Sequence, residues 1–167
     1  MRIRTYTPED FETVRGWVSD ERTHALWCAN LIPFPMTREG FEATLSEAAE
    51  RYGDRQYIAE DEEGNAVGFF CISDIVPESR ELMLKFVIVN SALRGKGYGR
   101  QMLVLAAKQA FEIGAQAVQL NVFTVNAPAK RCYLAAGFRE RRTTENCFAY
   151  KDEMWGRCNM FTERGEK

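Results

Sequence analysis

Fourteen residues near the middle of the chain, Val87-Ile88-Val89-Asn90-Ser91-Ala92-Leu93-Arg94-Gly95-Lys96-Gly97-Tyr98-Gly99-Arg100, carry its clearest chemical pattern. An apolar β-type run gives way to a short polar connection, a glycine-rich basic turn and the start of an amphipathic helix. Gly95, Gly97 and Gly99 let the backbone approach a ligand and adopt torsions closed to other residues. Successive amides then point to one place at a helix mouth, where the helix dipole favours an anion. Arg94, Lys96 and Arg100 add positive charge there. A pyrophosphate is the natural occupant. Two nucleotide motifs fail on particular residues. A Walker loop needs Ser or Thr after Gly-Lys, but Gly97 follows Lys96. A dinucleotide fingerprint needs its third glycine where Arg100 stands, and an acidic residue at the end of the next strand, where the chain has Thr124-Val125-Asn126. The plain alternative is a surface turn that merely uses glycines. Three glycines and three cations at one helix start argue against it.

A second group lies downstream: Asn126, Tyr133 seven residues on, then Ala136-Gly137-Phe138. With Arg94-Gly95-Lys96-Gly97-Tyr98-Gly99, which fits the signature of Arg or Gln, two residues, Gly, one residue, Gly or Ala, the chain resembles the GCN5-related N-acetyltransferase (GNAT) family. The resemblance implies an acetyl-coenzyme A co-substrate. Val87, Ile88 and Val89 would offer backbone groups to the pantetheine arm, as an added strand would. Arg94 through Arg100 would cradle the pyrophosphate, and Asn126 would hydrogen-bond the arm. Tyr133 would protonate the departing thiolate. A phenol and a thiol have pKa values of about 10 and about 8.5, so that transfer is not steeply uphill. Packing alone is the other reading of Tyr133, and a plain N-cap that of Asn126.

The general base is left open. Family members that carry a glutamate place it eleven residues before the motif, here Met83, or five before the asparagine, here Asn121. Glu81, on the same strand face as Met83 and Lys85 by alternation, is taken as the candidate catalytic carboxylate. Asp74, Glu78, His24 and a solvent chain are the other acceptors considered. For the amine substrate, the family resemblance points to walls from Trp17, Trp27, Phe34, Phe148, Tyr150 and Trp155, although each taken singly reads more readily as core packing.

The elements that must position these groups follow from periodicity. Ile3 to Thr7 reads as a strand, and Thr7 caps a helix whose apolar face is Phe11, Val14, Trp17 and Val18. Residues 23–35 look irregular. Thr37 opens another helix, ended by Gly53. Strands are expected at 56–60, 66–73 and 81–90, a helix at 99–113 facing its core with Leu103, Ala106, Ala107, Ala110 and Phe111, and a strand at 117–125. A short helix after Asn126 ends at Gly137, and 138–162 form a hairpin turning near Lys151-Asp152. The expected fold is α/β: a mixed, mostly antiparallel sheet splayed at its middle, with helices on both faces and one parallel crossover.

A chain of 167 residues favours one domain, 1–167. With 46% hydrophobic and 28% charged residues it has a globular composition, and its net charge of -2 gives no general attraction to nucleic acid or anionic membranes. Five scattered cysteines and a single histidine argue against a disulfide framework and a multi-histidine metal site, and fit a reducing compartment. The N-terminus lacks an apolar signal-peptide core, so the cytoplasm is expected. The expected partner is a small-molecule or peptide amine, with no metal, nucleic acid or membrane, and a homodimer is left open. Beside direct acetyl transfer in a ternary complex stand two alternatives: a non-catalytic acyl-coenzyme A binding module and a nucleotide-binding regulatory domain.

Overall fold

The computed structural model describes residues 1–165. Seven strands form one sheet in the order β1-β2-β3-β4-β5-β7-β6. They are β1 (Arg2–Thr5), β2 (Arg55–Glu60), β3 (Ala66–Val76), β4 (Glu81–Val89), β5 (Ala117–Phe123), β6 (Arg139–Tyr150) and β7 (Glu153–Glu163). The helices are α1 (Phe11–Gly16), α2 (Glu21–Cys28), α3 (Arg38–Tyr52), α4 (Tyr98–Ile113) and α5 (Ala127–Ala135). Every neighbouring pair is antiparallel except β4 and β5, which α4 connects. Those two strands pair only where Glu81, Leu82 and Met83 meet Ala117, Val118 and Gln119, and then part. The splayed, mixed sheet expected from the sequence is therefore present.

The chief departure is α2, where the sequence looks irregular. Asp20 caps it, its Oδ1 accepting from the Thr23 amide at 2.8 Å. The helix stops at Ala29, which takes the left-handed conformation at φ 50° in place of the usual glycine. His24, Ala25 and Cys28 are its buried stripe. At α3 the expected signals operate: Thr37 Oγ1 accepts from the Gly40 amide, and Gly53 closes the helix at φ 62°.

Each face of the sheet has its own core. On one side α4 contributes Met102, Leu103, Ala106, Ala107 and Ala110 against Phe70, Leu82, Leu84, Leu120 and Met160. Met102, not Phe111, completes the α4 stripe, and Phe111 sits half-buried at the rim. On the other side α1, α2 and α3 cover Ile58, Phe69, Cys71, Phe86 and Ile88.

β4 changes sides midway. Leu82 and Leu84 belong to the α4 core, yet Phe86 and Ile88 belong to the opposite one. Simple alternation would keep all four together. The cause is a bulge: Phe69 lies opposite Ile88 and Cys71 opposite Lys85, so β4 spends one residue more than β3, and Phe86 sits at φ 52°. Lys85, on the α3 side by alternation from Leu84, reaches under α3, where its Nζ lies 2.7 Å from Asp54 Oδ2 and 5.0 Å from the Tyr52 ring centre. The Asp54 side chain is fully buried.

A buried carboxylate stripped of its cation is costly, whereas removing both charges costs far less. Lys85→Met should therefore lower stability by about 3–5 kcal/mol. Lys85→Met combined with Asp54→Asn should recover most of that loss in urea unfolding. A single variant within about 1 kcal/mol of the parent would show that the pair does not hold the bulge.

Candidate active site

The glycine-rich turn forms as its residue types dictate. Asn90 Oδ1 accepts from the Ala92 amide at 3.0 Å and closes a single turn after β4. Gly95 at φ 77° and Gly97 at φ 82° then lead into α4, of which Gly97 is the N-cap. The first backbone bond of the helix runs from the Gln101 amide to the Gly97 carbonyl at 3.1 Å. The amides of Tyr98, Gly99 and Arg100 are left at the mouth of a 16-residue helix, where an anion is favoured. Arg94, Lys96 and Arg100 are exposed around it, and among the described residues none has a carboxylate partner.

Gly99 serves a different need. A Cβ at that position would stand 2.9 Å from Cys132 Sγ and 3.8 Å from Val89 Cγ2. Its lack of a side chain lets α4 approach α5 and the end of β4 closely. The turn, Val89 and the helix carrying Tyr133 thus meet at one point. Along the adjoining gap the edge of β4 beyond Met83 has no ladder partner on β5, so backbone groups in the Val87–Val89 segment are available to an extended ligand arm.

Asn126 caps α5, its Oδ1 accepting from the Ala129 amide at 3.4 Å. Tyr133 follows almost two turns later, half-buried against the α4 core. Burial, and after it the neighbouring Cys132, pushes its phenol above the ordinary tyrosine range. The hydroxyl is therefore protonated at neutral pH. Cys132 is itself a poor nucleophile, since burial raises its thiol pKa.

Glu81 is not brought to this group. It lies at the opposite end of β4, paired with Ala117, and its carboxylate accepts from Arg141 Nη2 at 2.5 Å, Arg141 Nη1 at 3.2 Å and Gln119 Nε2 at 3.3 Å. Asp74 belongs to β3 and Glu78 to the turn that follows it, both near the Glu81 end. His24 is enclosed by α2, with Nε2 3.4 Å from Cys28 Sγ and its ring 5.0 Å from that of Phe34; burial lowers its pKa. Of the substrate-wall candidates, Trp17 is core. Phe148, Tyr150 and Trp155 stack with Phe123 against Ala25 and Leu26 of α2, fastening the hairpin to that helix, with the Arg22 guanidinium 5.1 Å from the Trp155 ring. Trp27 is half-buried, 6.0 Å from Phe86, and its Nε1 has no partner among the described residues. The bulge at Phe86 and the Lys85–Asp54 pair escaped sequence reasoning, because their partners are distant in the chain. The only local signal was a lysine inside an apolar run.

A sequence profile of the acetyltransferase (GNAT) family matches residues 11–138. Streptothricin acetyltransferase of Streptomyces lavendulae is 37% identical over 84 residues, which span 50% of this chain and only 44% of that protein. A spermidine N-acetyltransferase from Vibrio cholerae, solved in complex with CoA and spermine, superposes with a TM-score of 0.82 at 17% identity, over 97% of this chain and 94% of that one. A protein provisionally described as a phosphinothricin N-acetyltransferase gives 0.79 at 20% identity, over 99% of both chains. At these identities the two structures speak for the fold.

The contact at Gly99 yields a coupled test. Gly99→Ala should weaken coenzyme A binding by about tenfold or more, because Cys132 must move and α4 with it. Gly99→Ala with Cys132→Ala should restore most of the affinity, a non-additivity expected of residues in contact. Calorimetric titration measures both, and simple addition of the two single effects would refute the steric account.

Proposed function

The chain belongs to the acetyltransferase (GNAT) family, and on that premise we propose that it transfers acetyl from acetyl-coenzyme A to a primary amine of a small molecule or peptide, by direct attack in a ternary complex. One observation carries the reading: the unpaired edge of β4 runs straight into the amide-and-cation mouth of α4, with Tyr133 beside their junction. A ligand with an extended amide-bearing arm and a pyrophosphate matches that sequence of environments.

Acetyl-coenzyme A would supply the activated acyl group as a thioester, which breaks as the new amide bond forms. In this reading the amides of Tyr98, Gly99 and Arg100, with Arg94 and Lys96, hold the pyrophosphate. Backbone groups of Val87–Val89, together with Asn126, orient the arm. Tyr133, protonated at neutral pH like any tyrosine, donates its proton to the leaving sulfur, a transfer that burial of the phenol makes more uphill than for a free tyrosine. The amine nitrogen loses a proton as it attacks. With Glu81 held by Arg141, we assign that proton to solvent entering the open splay. The reading makes residues 1–167 one catalytic unit, and the five free thiols fit a cytoplasmic location.

Tyr133→Phe should lower kcat by about 10²-fold or more while coenzyme A affinity stays nearly constant. The pH dependence has a definite sign. A raised phenol pKa keeps the donor protonated through the range where an ordinary tyrosine ionises, so kcat should hold up to and beyond a pH of about 10. Steady-state thiol release across pH is the measurement. Full activity in Tyr133→Phe where chemistry limits the rate would reduce Tyr133 to packing. Tight coenzyme binding with no thiol release from any amine would leave a binding module.

A further inference from the structure

Opposite the α4 core, beyond the Phe123–Trp155 cluster that α2 covers, the face formed by β5, β7 and β6 is open. A hydrogen-bonded row of side chains crosses it. Arg141 holds Glu81, Gln119 Nε2 donates to Glu81 Oε2 at 3.3 Å, and Asn159 Nδ2 donates to Gln119 Oε1 at 2.9 Å and to Asn121 Oδ1 at 3.0 Å. Asn121 is exposed, while Gln119 and Asn159 are half-buried. The row is built from strands far apart in sequence, and it ends at Asn121, where β5 has already parted from β4. It therefore reaches the start of the gap between β4 and β5, level with Lys85, on the face opposite α4.

The charges on this face are unequally matched. Two carboxylates on this side of the sheet are neutralised: Glu81 by Arg141, and Asp54 beneath α3 by Lys85. Two cations are not. Arg157 lies directly opposite Phe123 on β5 and, by alternation, shares a face with Asn159; Arg142 lies opposite Asn159 on β6. Both are exposed, and among the described residues neither has a carboxylate partner. Beside them, neutral amides offer both donors and acceptors. Such a surface attracts an oxyanion and repels a second positive charge.

We infer that the acceptor is an amine that also carries an oxyanion, a carboxylate or a phosphate, bound by Arg157 and Arg142 while Asn121 and Asn159 meet its polar groups. This rests on the transfer reading and narrows it to a substrate class. Arg157 is the specificity-determining residue, because a guanidinium fork holds an oxyanion in one orientation and so sets where the amine lies. A polycationic amine would meet these two guanidinium groups instead.

The test uses the full chain and matched amines: L-leucine with 3-methylbutylamine, L-phenylalanine with phenethylamine, O-phosphoethanolamine with ethanolamine, and spermidine. Thiol release from acetyl-coenzyme A gives kcat/KM, and calorimetry on the protein saturated with coenzyme A gives binding without turnover. In at least one pair the oxyanion-bearing member should exceed its neutral partner by about tenfold or more, and Arg157→Gln should erase that advantage while leaving the neutral amines within about twofold. Whether carboxylate or phosphate wins identifies the source of the oxyanion. A preference for spermidine or the neutral amines, or equal losses in both members of a pair, overturns the inference while leaving acetyl transfer intact. Arg157-dependent binding of an oxyanion amine without thiol release from any amine supports the inference and defeats the transfer reading. Neither binding nor turnover of any oxyanion amine overturns it.

Discussion

The backbone of Phe86 is the constraint on which the site depends. A bulky aromatic at φ 52° occupies a region that costs on the order of 1–3 kcal/mol. The conformation persists because the side chain is buried at 6% exposure among Trp27, Phe69 and Ile88. From that one residue three consequences follow. The strand exchanges its faces, so Val87 and Val89 border the α4 core rather than the α3 side. Phe86 joins Lys85 on the α3 side, where Lys85 pairs with Asp54. The bend also falls where β4 leaves β5, three residues beyond the last paired position, Met83. A straight β4 would continue its ladder and leave no gap for an extended ligand.

The elements around this bend were legible in the sequence where local chemistry controls them. Thr37 and Gly53 bound α3 as their types require, and the glycine turn, the α4 stripe and the Asn126 cap lie where periodicity put them. Helix α2 was hidden because its stop is Ala29, not glycine, and because its large Trp27 packs on Phe69 and Phe86 of the sheet from beside the small stripe of His24, Ala25 and Cys28. The bulge was hidden for a related reason. Strict alternation from Glu81 to Val89 reads as an unbroken strand, and only the tertiary contacts of Phe86 reveal the reversal. Alternation did place Glu81 and Lys85 on one face, but it could not show that Arg141, sixty residues away, would claim the carboxylate.

The two sides of the gap share an electrostatic character that the net charge of -2 conceals. Several acidic residues near the sheet are held in pairs: Asp10 and Glu60 with Arg4, Asp54 with Lys85, Glu81 with Arg141, Glu140 with Lys130. Among the described residues Arg94, Lys96 and Arg100 have no carboxylate partner at the helix mouth, and Arg142 and Arg157 have none on the open face. An acidic chain thus presents cations at the places where ligands would enter. The glycines divide their labour in the same economical way, Gly95 and Gly97 supplying torsions and Gly99 supplying space.

The central claim is that the bent edge of β4 and the mouth of α4 form one continuous coenzyme site. Backbone amide NMR of the isotope-labelled protein, titrated in parallel with coenzyme A and with ADP, tests it most directly. Both ligands should shift the amides of Tyr98, Gly99 and Arg100, since both present a pyrophosphate. Only coenzyme A should also shift amides in Val87–Val89 and around Asn126, since only it carries the pantetheine arm. Identical shift patterns for the two ligands, or shifts confined to residues away from β4 and α4, would contradict the account.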